Sequence, residues 1–102
     1  MASKYQQIVE LAASEAKRIV SNTGNYMAFL ITAANNYKYS FQDQLLIHAQ
    51  KPEATACAEI SFWNLWKRWV NRGTKGIALL VESGNRYRLR YVFDISDRKS
   101  VV

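Results

Sequence analysis

VNRGTKGIALLVESGNRYRLRYVFDIS, residues Val70–Ser96, holds the strongest local pattern in the chain. IALLVES reads as a strand, Gly84-Asn85 as a tight turn and RYRLRYVFDI as a second strand, so the segment predicts a β-hairpin over 77–93. Side chains alternate faces along a strand, which sends Arg86, Arg88 and Arg90 to one side and Tyr87, Leu89, Tyr91 and Phe93 to the other. The expectation is that the apolar row faces the rest of the domain and that the arginines form an outward comb. Alternate residues on a strand stand about 6.5–7 Å apart, near the spacing of phosphates along an extended nucleic-acid strand. Such a comb can follow a phosphate backbone.

Upstream, the apolar spacing changes from two to between three and four. Tyr5, Ile8, Ala12, Ala16, Ile19 and Val20 make one stripe of a helix from Ser3 to about Val20. SNTGN is a stop and restart, with Asn22, Thr23 and Asn25 as cap candidates and Gly24 available for a left-handed turn. YMAFLITAANN is apolar on nearly every side and predicts a helix wedged in the interior. Ser40 followed by Asp43 has capping-box spacing and opens a third helix, FQDQLLIHAQ, which Pro52 closes. ATACAEI reads as a brief strand. Ser61 then caps a fourth helix, FWNLWKRWVN, whose Phe62, Leu65, Trp66 and Trp69 share one side, leaving Trp63 and Lys67 pointing elsewhere. The sum is an α+β domain, about four helices packed on a small antiparallel sheet with a C-terminal hairpin.

At 102 residues the chain is most simply one domain, with 49% hydrophobic and 22% charged residues, an ordinary globular balance. Cys57 is the only cysteine, which excludes an internal disulfide and a cysteine-built zinc site and fits a reducing, cytoplasmic setting. The N-terminus is amphipathic and not a signal peptide, and no stretch has membrane-spanning length. The net charge of +6 is segregated: residues 1–66 balance, and the whole excess lies in residues 67–102. A localised basic region points to a polyanionic partner.

Between the fourth helix and the hairpin, Arg72 and Lys75 alternate with Gly73 and Gly76, a loop able to bring cations and bare backbone close to a phosphate. It is not a P-loop, since neither spacing nor flanking elements fit. Helix ends commonly take glycine, and Gly73 serves that role in either case. Aromatic residues interleaved with cations suit single-stranded nucleic acid, because unpaired bases stack on rings while phosphates meet Arg and Lys. Trp63 is the leading stacking candidate, with Tyr37 and Tyr39 behind it. Enzymatic chemistry has little to draw on: His48 is the only histidine, no nucleophile motif surrounds Cys57, and the carboxylates are scattered. Asp94 and Asp97 suit ion pairing better than metal binding. The pattern calls for no cofactor, metal, membrane or small-molecule substrate.

The order SFQDQLLIHAQKP, FWNLW, VNRGTKG and YVFDIS resembles the N-terminal domain of ArdC-type antirestriction proteins and the LtrC-like proteins of bacterial conjugative elements. Leu45, Leu46, Trp63, Val70, Gly73, Lys75, Gly76, Val92, Phe93, Asp94 and Ser96 fall on the family's pattern. Asp43 stands where it has Asn, Lys67 where it has Gly, and Arg72 where it has Lys. The resemblance implies a non-catalytic domain that binds single-stranded DNA ahead of further domains of a longer mobile-element protein. The expected contacts are Trp63, Lys67, Arg72, Gly73, Lys75, Gly76, Arg86, Arg88 and Arg90. The alternative is a module that docks an acidic partner protein or organises the larger polypeptide.

Overall fold

Each of the first three helices starts where a short polar side chain can accept an otherwise unpaired backbone N–H. The chain's computed structural model describes residues 3–65, 68–70, 73–83 and 86–100. Ser3 Oγ accepts from Gln6 N at 3.1 Å while Gln6 Oε1 accepts from Ser3 N at 3.3 Å, a complete capping box opening α1, Lys4–Ile19. Asn22 Oδ1 accepts from Asn25 N at 2.8 Å and opens α2, Thr23–Asn35. Gly24 therefore lies inside the first turn of α2 and makes no left-handed turn. Ser40 Oγ accepts from Asp43 N at 3.2 Å and opens α3, Phe41–Gln50, as its spacing predicts.

β1 (Cys57–Ala58), α4 (Ile60–Leu65), β2 (Arg68–Val70), β3 (Ile77–Ser83) and β4 (Arg86–Asp94) follow, and a 3₁₀ turn, Ile95–Asp97, leads into β5, Arg98–Ser100. The predicted hairpin is present: β3 and β4 pair antiparallel from Ile77 opposite Val92 to Ser83 opposite Arg86. β1 joins the far side of β4, giving the order β1-β4-β3, and β2 pairs with β5 in a separate two-stranded sheet. The fold is α+β, with four helices among the described residues beside these small antiparallel sheets.

The core is the seam between α1, α3 and the hairpin. Ile8 and Ala12, Leu46 and Ile47, Ile77 and Leu79, and Val92 form one buried cluster, and Ile19, Phe29 and Leu45 a second between the helices. Burying such side chains is worth about 1.5–3 kcal/mol each and sets where α3 must lie. Along β3, α3 does more than pack. Gln50 accepts from Ala78 N and donates to Ala78 O, both at 2.9 Å, and Asp43 Oδ1 accepts from Leu80 N at 3.4 Å. Residues 43 and 50 are two helical turns apart on one face, so they meet alternate residues of the strand. The edge of β3 thus has helix side chains where a foreign strand could otherwise add.

Three expectations are corrected. The fourth helix stops at Leu65, and Arg68–Val70 is extended, because Trp69 pairs opposite Lys99 in a sheet whose second strand lies far away in sequence. α2 lies on the surface: only Phe29 and Thr32 are buried, whereas Tyr26, Met27, Leu30 and Ile31 are exposed. Nearly uniform hydrophobicity gives a helix no single preferred face, and α1, α3 and the hairpin already fill the interior. Finally, the arginine side of β4 turns inward along its C-terminal half. Arg90 reaches Asp43 on α3, and Val92 and Asp94 on the same side are 0% and 1% exposed, while Tyr91 on the opposite side is 47% exposed.

Candidate nucleic-acid interface

The polar joint at the end of β4 holds the candidate site together. Asp94 Oδ1 accepts from Thr55 N at 2.8 Å and Ala56 N at 2.9 Å, and Oδ2 accepts from Ser96 N at 3.2 Å and Ser96 Oγ at 2.6 Å. Burial alone would raise its pKa; the Ser96 hydroxyl and the Ala56, Ser96 and Thr55 N–H groups outweigh it and hold the carboxyl below its ordinary range. Trp63 Nε1 donates to Phe93 O at 2.9 Å, docking α4 on the same joint. The VFDIS segment therefore fastens the approach to β1, and α4, to the hairpin.

That placement corrects the leading stacking candidate. Trp63 is 7% exposed, with Phe62 edge-on to it at 5.3 Å, so its indole belongs to the fold. The large apolar residues that α4 leaves exposed are Ile60, Phe62 and Leu65. Of the four residues expected to share one helix face, Phe62 and Leu65 are exposed on α4, and Trp69 lies in β2 instead of the helix; Trp63 is the ring that docks on the sheet.

A cleft of about 470 Å³ opens beside the joint, between the α2–α3 loop, β1, the start of α4 and Arg90. Its loop wall is fixed: Gln44 Nε2 donates to Asn36 O at 3.2 Å and Tyr39 O at 3.1 Å, Tyr39 N donates to Asn36 O at 3.1 Å, and the Tyr39 hydroxyl donates to Cys57 O at 2.8 Å. On this braced loop Tyr37 is 73% exposed, and Phe62 across the cleft is 47% exposed. Lys38 is exposed beside Tyr37. Two open rings and a cation therefore share one concave surface.

Arg90 lies in that cleft as a brace. Its guanidinium meets Glu59 Oε1 at 3.3 Å and Asp43 Oδ2 at 3.7 Å and sits 5.5 Å from the centre of the Tyr39 ring. Two carboxylates offset its charge, which leaves it a weaker phosphate contact than the comb reading gave it. Burial lifts the Asp43 carboxyl above its ordinary range, against the Leu80 N–H, Arg90 and Ser40, which lower it. Arg88 is exposed on the strand, and the side chain of Arg86 lies outside the described residues, as do Lys67 and Arg72.

The glycine loop leads to a second cleft of about 360 Å³, where Lys75 and Thr74 face Gln50, Lys51 and Glu53. Gly73 has φ +83, a turn conformation that favours glycine. At Gly76 a Cβ would come within 3.1 Å of Tyr91 and 3.2 Å of Phe93, so its bareness serves packing. Lys75 is exposed and keeps its place as a cation at the rim.

His48 is a buried structural histidine. Thr32 Oγ1 lies 3.0 Å from Pro52 O, which can only accept, so the hydroxyl donates there and takes its other bond from His48 Nδ1–H at 2.8 Å. Burial lowers the His48 pKa, Glu15 raising it and Arg18 lowering it further. The ring lines a different cleft, with Glu15 and Arg18, from the one that Cys57 lines. Among the described residues no three of His, Cys, Asp and Glu are grouped to hold a metal ion, and no helix is long and apolar enough to cross a membrane.

No family profile, curated protein or solved structure matches the chain.

Proposed function

We propose that this domain binds single-stranded DNA without catalysis, taking unpaired bases against Tyr37 and Phe62 at the cleft and placing phosphates near Lys38, Lys75 and Arg88. The observation that carries the reading is the convergence of Tyr37, Phe62, Tyr39 and Lys38 on one cleft whose loop is already braced. Ring faces stack on bases irrespective of sequence, and cations follow the backbone. The basic excess in residues 67–102 and the resemblance to ArdC-type N-terminal domains support the same reading, with a cytoplasmic setting and further domains of the polypeptide as neighbours. The test is a titration of a labelled single-stranded oligonucleotide at two salt concentrations. Binding that weakens with salt, and weakens by about 1–3 kcal/mol in Tyr37→Ala with unchanged thermal stability, supports it. An unchanged affinity in that variant excludes the cleft.

A second reading, a module that docks another protein or organises a larger polypeptide, draws on the exposed apolar face of α2, which carries no charged residue over Thr23–Asn35. Partner binding through that face would be insensitive to oligonucleotide and would be lost in Ile31→Glu.

A further inference from the structure

Asn36 ends α2 and stands in the wall of the cleft, 3% exposed. Its polar atoms are almost fully used. The backbone N–H bonds to Thr32 O and Ala33 O, the backbone carbonyl accepts from Tyr39 N and Gln44 Nε2, and Nδ2 donates to Thr32 O at 2.9 Å. That last bond fixes the amide's orientation, because a carbonyl can only accept. Oδ1 is thereby identified as the remaining atom, and it is buried with no donor among the described residues. Arg90, from β4, also lines the cleft; it spends its two terminal nitrogens on Glu59 and Asp43, while its Nε–H is buried and finds no acceptor among the described residues. A buried polar group without a partner is costly, and a ligand group that completes it recovers that cost on binding.

We infer that the cleft reads the hydrogen-bonding edge of an unpaired nucleobase, with Asn36 Oδ1 accepting from a base N–H and Arg90 Nε–H donating to a base oxygen or ring nitrogen. The inference rests on the single-stranded DNA reading and adds to it. Stacking on Tyr37 and Phe62 holds the plane of a ring, whereas Asn36 and Arg90 address its rim. Both atoms are closed to solvent, so a ring edge reaches them by parting the side chains that cover them, and its donor and acceptor then meet groups that have no other partner among the described residues. In a duplex those edges are occupied by the complementary base, so the same two atoms also favour single strands. A peptide amide offers both groups as well, but it lacks the flat ring that the exposed Tyr37 and Phe62 suit, which favours the base.

The experiment compares three single-stranded oligonucleotides of equal length and charge by fluorescence anisotropy on the unmodified protein: oligothymidylate, the same strand with every thymine methylated at N3, and the same strand with abasic sites. N3-methylation removes the only N–H of thymine and keeps the ring and phosphates. The expected result is that the methylated strand binds about five- to tenfold more weakly than oligothymidylate and the abasic strand more weakly still. In Asn36→Ala the difference between the first two strands should shrink to within about twofold. Equal binding of the methylated and unmethylated strands overturns the edge-reading inference and leaves the stacking site standing. Persistent discrimination in a folded Asn36→Ala protein overturns the role of Asn36. If no strand binds, or the abasic strand binds as tightly as the others, the single-stranded DNA reading itself fails; a peptide ligand would belong to that outcome. Should Asn36→Ala not fold, the comparison on the unmodified protein still decides.

Discussion

Asp94 shows how much of this fold one side chain carries. A buried carboxylate accepting from two backbone N–H groups at the entry to β1, and from the N–H and hydroxyl of Ser96, cannot be lost without leaving those donors unpaired. Asp94→Ala should cost about 3 kcal/mol or more, a large share of what a domain of this size has, visible as a fall in the urea midpoint. The sign of its pH dependence follows from a folded pKa below the unfolded one: the stabilisation is present above the unfolded pKa and is lost as pH falls through the folded value. Urea unfolding from pH 6 down through the carboxylate range should show that loss, and Asp94→Asn, starting from lower stability, should show a shallower one. Asp43 works in the opposite sense, its raised pKa favouring the fold below its unfolded value and losing that contribution as pH rises through the folded value. At Trp63, replacement by Ala should lower stability by about 3–5 kcal/mol, in keeping with an indole buried against Phe93.

Among the elements, β4 and the α2–α3 loop exchange the roles that the sequence suggests. The hairpin was legible because period-two alternation and a Gly-Asn turn are local signals, and the Ser40 cap was legible for the same reason. Which face of β4 meets α3 was not, because it depends on Asp43 and Glu59 arriving from other elements to neutralise Arg90. The split of 62–71 into α4 and β2 was hidden likewise, since β2 is extended only through pairing with β5, some thirty residues on. Tyr37 and Tyr39 could be found as aromatic residues in a polar loop, but nothing local tells that Gln44 braces that loop or that Asn36 keeps an unused acceptor. The strand can be tested by salt dependence. Arg88→Gln should reduce the salt slope by about 0.7, the contribution of one phosphate on a single strand, whereas Arg90→Gln should move the slope less and instead lower stability. Equal slope changes from the two substitutions would restore the comb.

For the whole molecule, the fold separates its tasks. α1, α3 and the hairpin bury the core, the Asp94 joint fixes β1 and α4 to it, and the cleft opens where the loop from α2 meets that joint. Most residues that carry the family resemblance, among them Leu45, Leu46, Trp63, Gly76, Val92, Phe93 and Asp94, serve this framework, whereas the open rings lie on residues outside that pattern. The proposed function requires that these rings take unpaired bases. The decisive measurement is a competition, with a labelled single strand held on the protein and displaced by unlabelled single strand or by duplex of the same length and sequence. The single strand should compete at least about tenfold more effectively, since a ring can stack only on an unpaired base; equal displacement by duplex at equal concentration would overturn the stacking role and leave a surface that recognises phosphate alone.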